Sequence, residues 1–498
     1  MKKSIVFFLA FLNVAPLLGQ SITAAMQKPD GFYYVDFKKY PTHDKTLPIG
    51  VFDSGTGGLT VLNAIVNFDR FANQTNTNTP DGKPDFTNEK FVYLADQANM
   101  PYGNYAAVGK ADLLEENIFK DVQFLLGNKY YQTAQSTGFQ TDKQQVKVLV
   151  IACNTATAFG QAKIEAFLKA APLPIKVIGV IDAGARGALQ TFAKDENGSI
   201  GIFATAATVT SQGYERAIKK FQQEQQYTGD IQLFGQGGVG LAEAIDEDPN
   251  YINRTAAAPR TDYRGPNVTG TNLLIERQLF KIYNFNFEGQ QMLCDAAKID
   301  DCGQLQINSA ENYVRFHLVT LLEKMRQTPN ARPLKTLILG CTHYPYMAQN
   351  IEQVLAELRN YTENNQPRYR HLLAEKVTLI DPAINTAKEL YDYLYGSQTF
   401  NPSADMATQS EFYISVPNVL NANIKTEADG RFTYDYKYGR TAGQLQEYVK
   451  VVPFSTANIP ADVRDRLRKQ IPNTFELIRN FAKNPKTNFM TPQERLSQ

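Results

Sequence analysis

The chain has 498 residues, with 51 Lys+Arg against 50 Asp+Glu and a formal net charge of +1. So even a balance provides no electrostatic footprint for nucleic acid or for an anionic membrane surface. The length exceeds one ordinary hydrophobic core, so two domains with appended material are expected.

The first residues differ in kind from the rest. Met1-Lys2-Lys3 precedes an apolar run over 4–18, and the small residues Gly19, Ala24 and Ala25 follow. This is the layout of a secretory signal peptide over 1–25, cut somewhere within about 19–25. No cysteine stands beside the cut to carry a lipid, and no later run reaches the roughly 18 apolar residues of a membrane span. The expected mature protein is exported, periplasmic in a double-membrane bacterium, and free of the membrane after cleavage.

After a polar leader, residues 47–52 read as a short strand running into Asp53-Ser54-Gly55-Thr56-Gly57-Gly58, and 59–65 have helical spacing. Strand, glycine-rich turn and helix make the first βα unit of a parallel sheet. Such a turn brings backbone amides close to a carboxylate or phosphate, although a tight turn with a capping Asp has the same composition. It is not a P-loop, because no Gly-Lys-Ser/Thr follows. A polar loop over 71–90 leads to a strand at 91–94, then to Asp96 and Met100-Pro101-Tyr102-Gly103, and a helix follows over 110–126.

The next strand ends in Cys153-Asn154-Thr155, before a helix over 156–170. A strand at 175–181 precedes Asp182 and another helix. Strand 199–203 runs into Thr205 and Thr208, and strand 230–234 runs into the turn 235–240. That turn matches G-x-G-x-x-G ahead of a helix at 241–245. However, 246–270 reads as polar loop where a dinucleotide site needs a second strand with a ribose-binding acid, which argues against NAD. Residues 246–310 look like an insertion. Beyond it lie a helix at 310–326, a strand ending in Cys341-Thr342-His343, a helix at 346–359, a strand at 376–380 with Asp381, and a helix at 383–394. After 400 the pattern loosens, leaving one strand at 411–416 and a terminal helix at 461–482. The alternation gives an α/β class with parallel sheets.

Two stretches answer each other. Val148-Leu-Val-Ile-Ala-Cys153 and Thr336-Leu-Ile-Leu-Gly-Cys341 are both buried-strand runs that deliver a cysteine to a polar cluster opening a helix. A Thr beside each can cap that helix. At a helix amino end a thiol pKa of about 8.5 can fall toward about 3.5–7.5. Two matched thiols among four cysteines suggest an acid/base pair. Cys294 and Cys302 lie close together in a polar segment, and an oxidising compartment would bridge them; the alternative is two unpaired surface thiols.

As a set, these motifs resemble the aspartate/glutamate racemase family. The matching stretches are Ile49-Gly-Val-Phe-Asp53-Ser54-Gly-Thr-Gly-Gly, Pro101-Tyr102-Gly103, Ile151-Ala-Cys153-Asn154-Thr155, Gly179-Val-Ile-Asp-Ala-Gly, Gly201-Ile-Phe-Ala-Thr205-Ala-Ala-Thr208, Gly340-Cys341-Thr342-His343-Tyr-Pro and Leu379-Ile-Asp-Pro. They run in order over roughly 47–395, leaving the leader, the 246–310 insertion and the last hundred residues outside. The resemblance implies two doubly wound parallel-sheet domains related by pseudo-twofold symmetry, with the active site between them. The first would span 46–175 and be completed by about 375–498, and the second would span 176–374.

It also implies a cofactor-independent racemase of glutamate, with no metal, acting on a small amino acid. The second copy of a homodimer is left open. Cys153 and Cys341 would be the two bases, with Asp53 assisting the first and His343 the second. Ser54, Asn154, Thr155 and Thr342 would hold the α-amino and α-carboxylate groups. Pro101, Tyr102, Gly103, Thr205 and Thr208 would meet the side-chain carboxylate. The family has a further acid in a Pro-Leu-Val-Glu-type turn; the corresponding turn here, 235–240, has none, and Glu243 is the nearest substitute. Aspartate or another amino acid as substrate, and an exported binding protein without turnover, are the alternatives. A hydantoin-type racemase is a further reading; a pyridoxal-phosphate enzyme is disfavoured because no lysine stands in a cofactor-anchoring context.

Overall fold

The computed structural model describes residues 21–29, 31–73, 75, 77–269, 273–402 and 409–496. The strands in chain order begin with β1 (Ile49–Asp53), β2 (Phe91–Ala95), β3 (Val148–Ile151) and β4 (Lys176–Gly179). β5 (Gly198–Ala204), β6 (Ile231–Gly237), β7 (Met292–Cys294), β8 (Leu305–Ile307) and β9 (Leu334–Gly340) follow. A two-residue ribbon of β10 (Thr362–Glu363) and β11 (Gln366–Pro367) precedes β12 (Leu373–Ile380), β13 (Glu411–Pro417) and β14 (Val449–Pro453).

Two sheets organise the molecule. The first has the order β14-β13-β2-β1-β3-β4, the second β12-β9-β5-β6. Every pairing is parallel except β13 with β14. β1, β2 and β3 are buried at every residue, as near-continuous apolar runs should be when helices cover both faces. The strand order repeats: β2-β1-β3-β4 in one half corresponds to β6-β5-β9-β12 in the other. Each half therefore puts its cysteine-bearing strand, β3 or β9, between two parallel neighbours. Parallel pairing also brings the loops after β1, β3, β5, β9 and β12 to the carboxyl edges of their sheets, where open α/β sheets bind ligands.

The sheets divide the chain a few residues away from the expected limits. β4 still belongs to the first sheet, since Gly179 pairs with Ile151. β12 still belongs to the second, since Ile380 pairs with Ile338. The strand expected over 175–181 stops at Gly179, and Val180–Leu189 is helical. The helix Pro382–Ser397 leaves the second sheet but buries Ala387, Leu390 and Leu394 in the core of the first. The ion pair Arg186–Glu389 adds a polar clasp between two helices there.

The segments outside the resemblance are built into this frame. In the insertion, β7 and β8 pair antiparallel and Cys294 is bonded to Cys302. Ile275, Leu279, Tyr283 and Ile307 fill the second half's core. The last hundred residues extend the first sheet through β13 and β14, with Phe412, Ile414, Val452 and Phe454 buried. The terminal helix expected over 461–482 is two helices, Ala461–Gln470 and Pro472–Phe481. Pro472 cannot donate an amide, and Ile471 before it leaves helical geometry.

The expected leader over 1–25 falls on residues outside those described, apart from its last five. There Ser21 caps the helix Ile22–Gln27, whose Ile22, Ala25 and Met26 are buried, and Ile22 and Met26 belong to the first core. Residues 21–25 are thus part of the folded body. Among the described residues, no helix is long and apolar enough to cross a membrane.

Candidate active site

Cys153 sits just past the carboxyl end of β3 and is itself the cap of helix Asn154–Ala170. Its sulfur accepts the Ala156 amide at 3.4 Å. The cap is therefore the thiol, and Thr155 is half-buried one residue inside the helix. Ser54 Oγ lies 3.9 Å from the sulfur. Asp53, the last residue of β1, accepts the Gly58 amide at 2.7 Å and is buried beside the thiol.

The expected fall of the Cys153 pKa does not occur here. The helix amino end and the Ala156 amide favour thiolate, but burial disfavours charge more strongly and the neighbouring Asp53 carboxylate repels it, so the thiol is pushed up. Burial likewise raises Asp53 against the pull of the Gly58 amide and of Cys153. Burial and Asp53 together thus favour the protonated thiol at Cys153.

The second station has a different build. Cys341 follows β9, and its sulfur lies 3.7 Å from His343 Nδ1, with Thr342 Oγ1 3.4 Å from the same nitrogen. No α-helix starts at this cysteine. A 3₁₀ turn, Tyr344–Met347, carries Pro345, and the helix begins only at Ala348. Thr342 therefore caps nothing, and the histidine takes over the electrostatic part that a helix end plays at Cys153.

The other His343 nitrogen, Nε2, meets Asp246 Oδ2 at 3.1 Å. Burial disfavours the imidazolium, but the Asp246 and Cys341 partners outweigh it and push the pKa up to about 10. Asp246 is also paired with Arg466 at 2.7 Å. Burial opposes the charge on Asp246, yet the two cations hold its carboxyl below the ordinary value.

Sequence reasoning missed Asp246 and Arg466. Glu243 was the expected acid, but it lies on the five-residue helix Leu241–Ile245, and the residue that caps this helix, Asp246, is the one that reaches His343. The acidic run Glu243…Asp246-Glu247-Asp248 was the available signal. Nothing local could have nominated Arg466, which arrives from the far end of the chain.

Three contacts bring the two halves together. A β-carbon placed on Gly57 would lie 3.5 Å from Asp53 Oδ2 and 3.6 Å from Thr342 Oγ1, so neighbours of both cysteines flank one turn. The Tyr214 hydroxyl donates to Asn154 Oδ1 at 3.0 Å, while its ring packs on Gly340. A β-carbon on Gly103 would come within 2.7 Å of Ala207 Cβ, which sets the loop after β2 against the helix Ala206–Thr210. Thr205 caps that helix and donates to Thr208 Oγ1 at 3.0 Å.

Pro101, preceded by a cis peptide bond, is exposed beside Gly103. Tyr102 does not offer its hydroxyl to a ligand. That group is buried between Asp96 and Asp121, 2.6 Å from each, leaving only the backbone at this position for the expected role.

Both cysteines are free and buried, the residues being 6% and 7% exposed. A cavity of about 580 Å³ opens on the Thr342 side and touches neither cysteine; it is lined from the first half by Thr60 and Asn63, from the second by Thr342, Tyr346 and Asp381, and from the tail by Gln470. The glycine turn after β6 is not a dinucleotide cradle, because the Tyr344 hydroxyl fills the approach and donates to Gly238 O at 2.9 Å.

No protein-family profile matches the chain. Its sequence is 27% identical over 365 residues to the glutamate racemase of Levilactobacillus brevis, covering 73% of this chain and 85% of that protein. With the glutamate racemase of Syntrophus aciditrophicus it shares 31% over 200 residues, 40% of this chain and 55% of that one. Among solved structures, a glutamate racemase isoform of Bacillus anthracis aligns at 23% identity and a TM-score of 0.42, over 74% of this chain and 88% of that chain. The glutamate racemase of Francisella tularensis in complex with D-glutamate aligns at 20% identity and a TM-score of 0.39, over 81% and 97%. An alignment of 365 residues is longer than either half of the molecule, so the sequence likeness runs through both sheets. By sequence, this chain is similar to the glutamate racemases over nearly three quarters of its length.

Proposed function

We propose that this amino-acid racemase interconverts L- and D-glutamate without a cofactor, by two-base proton transfer between Cys341 and Cys153. The observation that carries the reading is the pair of free thiols at the ends of equivalent strands β3 and β9, with neighbours of both flanking Gly57. One sulfur, as thiolate, takes the α-proton, and the electron pair stays on the α-carbon as a carbanion. The other, as thiol, delivers its proton to the opposite face, and the two sulfurs exchange protonation states. On this reading the buried Cys153 starts as the proton donor, and Cys341, beside His343 and Asp246, starts as the acceptor. Positioned groups of this kind contribute about 10²–10⁴-fold each.

Ser54, Asn154, Thr155 and Thr342 are assigned to the α-amino and α-carboxylate groups. Gly103, Thr205 and Thr208 are assigned to the side-chain carboxylate. Export is part of the same reading, supported by the bridged Cys294–Cys302 pair, which suits an oxidising compartment.

Incubation with L-glutamate in deuterium oxide should give D-glutamate labelled at the α-carbon. Cys153→Ala and Cys341→Ala should each abolish racemisation, by at least about 10²-fold. Each variant should still exchange the α-proton of one enantiomer only, and the two should differ in which. Label without inversion in the wild-type protein, or conversion confined to aspartate, would overturn the glutamate assignment.

A further inference from the structure

The last hundred residues lie outside the family resemblance, yet one of their side chains enters the second proton-transfer station. Arg466 stands on the helix Ala461–Gln470. Its guanidinium reaches Asp246 Oδ2 at 2.7 Å, the same oxygen that meets His343 Nε2 at 3.1 Å. Four residues on, Gln470 lines the cavity together with Thr342, Tyr346 and Asp381. The helix therefore borders Thr342 at one end and reaches the partner of His343 through Arg466.

Asp246 needs this support. It follows a helix of only five residues, at the start of the long insertion, and is part-exposed, with a side-chain exposure of 25%. A carboxylate on so short a support has few local constraints, and a second charge-assisted bond fixes its rotamer. An Arg pairs well with a carboxylate because its donors are held in a rigid fork.

We propose that Arg466 is a positioning residue of the racemase. By clamping Asp246 it holds His343 against Cys341, so that proton transfer at Cys341 depends on docking of the C-terminal segment. The proposal rests on the two-thiol reading above. The wild type, Arg466→Ala, Arg466→Lys, Asp246→Asn and the Arg466→Ala/Asp246→Asn double variant test it through two readouts. The first is turnover with each enantiomer of glutamate. The second is the iodoacetamide alkylation rate of Cys341 relative to Cys153, resolved by mass spectrometry, which needs no turnover.

Arg466→Ala should lower kcat about tenfold with KM changed less than about twofold, and should slow Cys341 alkylation relative to Cys153 by a similar factor. Arg466→Lys should recover part of both. In the Asp246→Asn background, Arg466→Ala should change neither by more than about twofold, because the two act as one unit. Additive effects, or an unchanged alkylation ratio in Arg466→Ala, would overturn the proposal. A wild-type protein without turnover would instead sink the racemase reading and leave the alkylation cycle to decide the role of Arg466.

Discussion

Cys153 and Cys341 have the same neighbours in sequence grammar and opposite neighbours in charge. The first has a carboxylate beside it and a helix amino end beneath it; the second has an imidazole and no helix end. The difference gives a pH signature to the second station. His343 has an ordinary value of 6.5 and rises to about 10 in the folded protein. The folded state therefore binds that proton more tightly, and its stabilising contribution is complete below about pH 6.5 and lost as pH rises through about 10. Asp246→Asn removes the main partner, so urea unfolding from about pH 6 to about pH 10 should show a shallower loss of stability in the variant than in the wild type. Parallel curves would mean that the His343–Asp246 contact adds nothing to the folded state.

Legibility at this scale follows from locality. The placement of both cysteines, Asp53 and His343 at strand ends could be read because strand, turn and candidate residue are contiguous in the chain. Asp246 sits 97 positions from His343, and Tyr102 gave no sequence sign that Asp96 and Asp121 would claim its hydroxyl. The protonated state of Cys153 was also out of reach, since burial is a tertiary quantity that here outweighs a local helix effect.

At the scale of elements, the buried strands were placed to within a few residues because continuous apolar runs have few alternatives. Errors fell where a local signal met a competing one: Pro345 delayed a helix, Pro472 split another, and Gly179 ended a strand two residues early. The turn after β1 shows how tightly such an element is specified. A β-carbon on Gly58 would lie 2.4 Å from Asp53 Cβ and 2.9 Å from the Tyr93 hydroxyl, while the Gly58 amide holds Asp53 in place. Gly396, in the helix Pro382–Ser397, has nothing within 4 Å of the same position. Gly58→Ala should therefore cost about 1–3 kcal/mol through forced movement of the turn, and activity should fall with it. Gly396→Ala should be neutral or gain up to about 1 kcal/mol, because only helix propensity changes. Thermal unfolding of the two variants checks this, and equal shifts would contradict the assigned packing of the glycine turn.

For the whole molecule, the described segments toward both ends of the chain are structural parts rather than appendages. β13 and β14 complete the first sheet, Arg466 reaches the second half, and the helix Ile22–Gln27 closes on the first core. Burial of Ile22 and Met26 limits where a leader can be removed. A cut at residue 25 would take Ile22 and Ala25 out of the core, whereas a cut at 19 or 20 leaves Ser21 free to cap its helix. Each buried aliphatic side chain is worth about 1.5–3 kcal/mol, so the folded body favours the earlier cut. Protein recovered from the periplasm should begin at Gln20 or Ser21 by N-terminal sequencing and should carry the Cys294–Cys302 bond. Replacing both of those cysteines with serine should cost about 2–3 kcal/mol with little change in kcat, because the hydrogen bonds of Cys294 and Cys302 stay within the insertion, to Ala296, Lys298 and Arg277. A mature chain starting at residue 26 would place the helix Ile22–Gln27 in the leader. Recovery from the cytoplasm with residues 1–20 intact would overturn the proposed export.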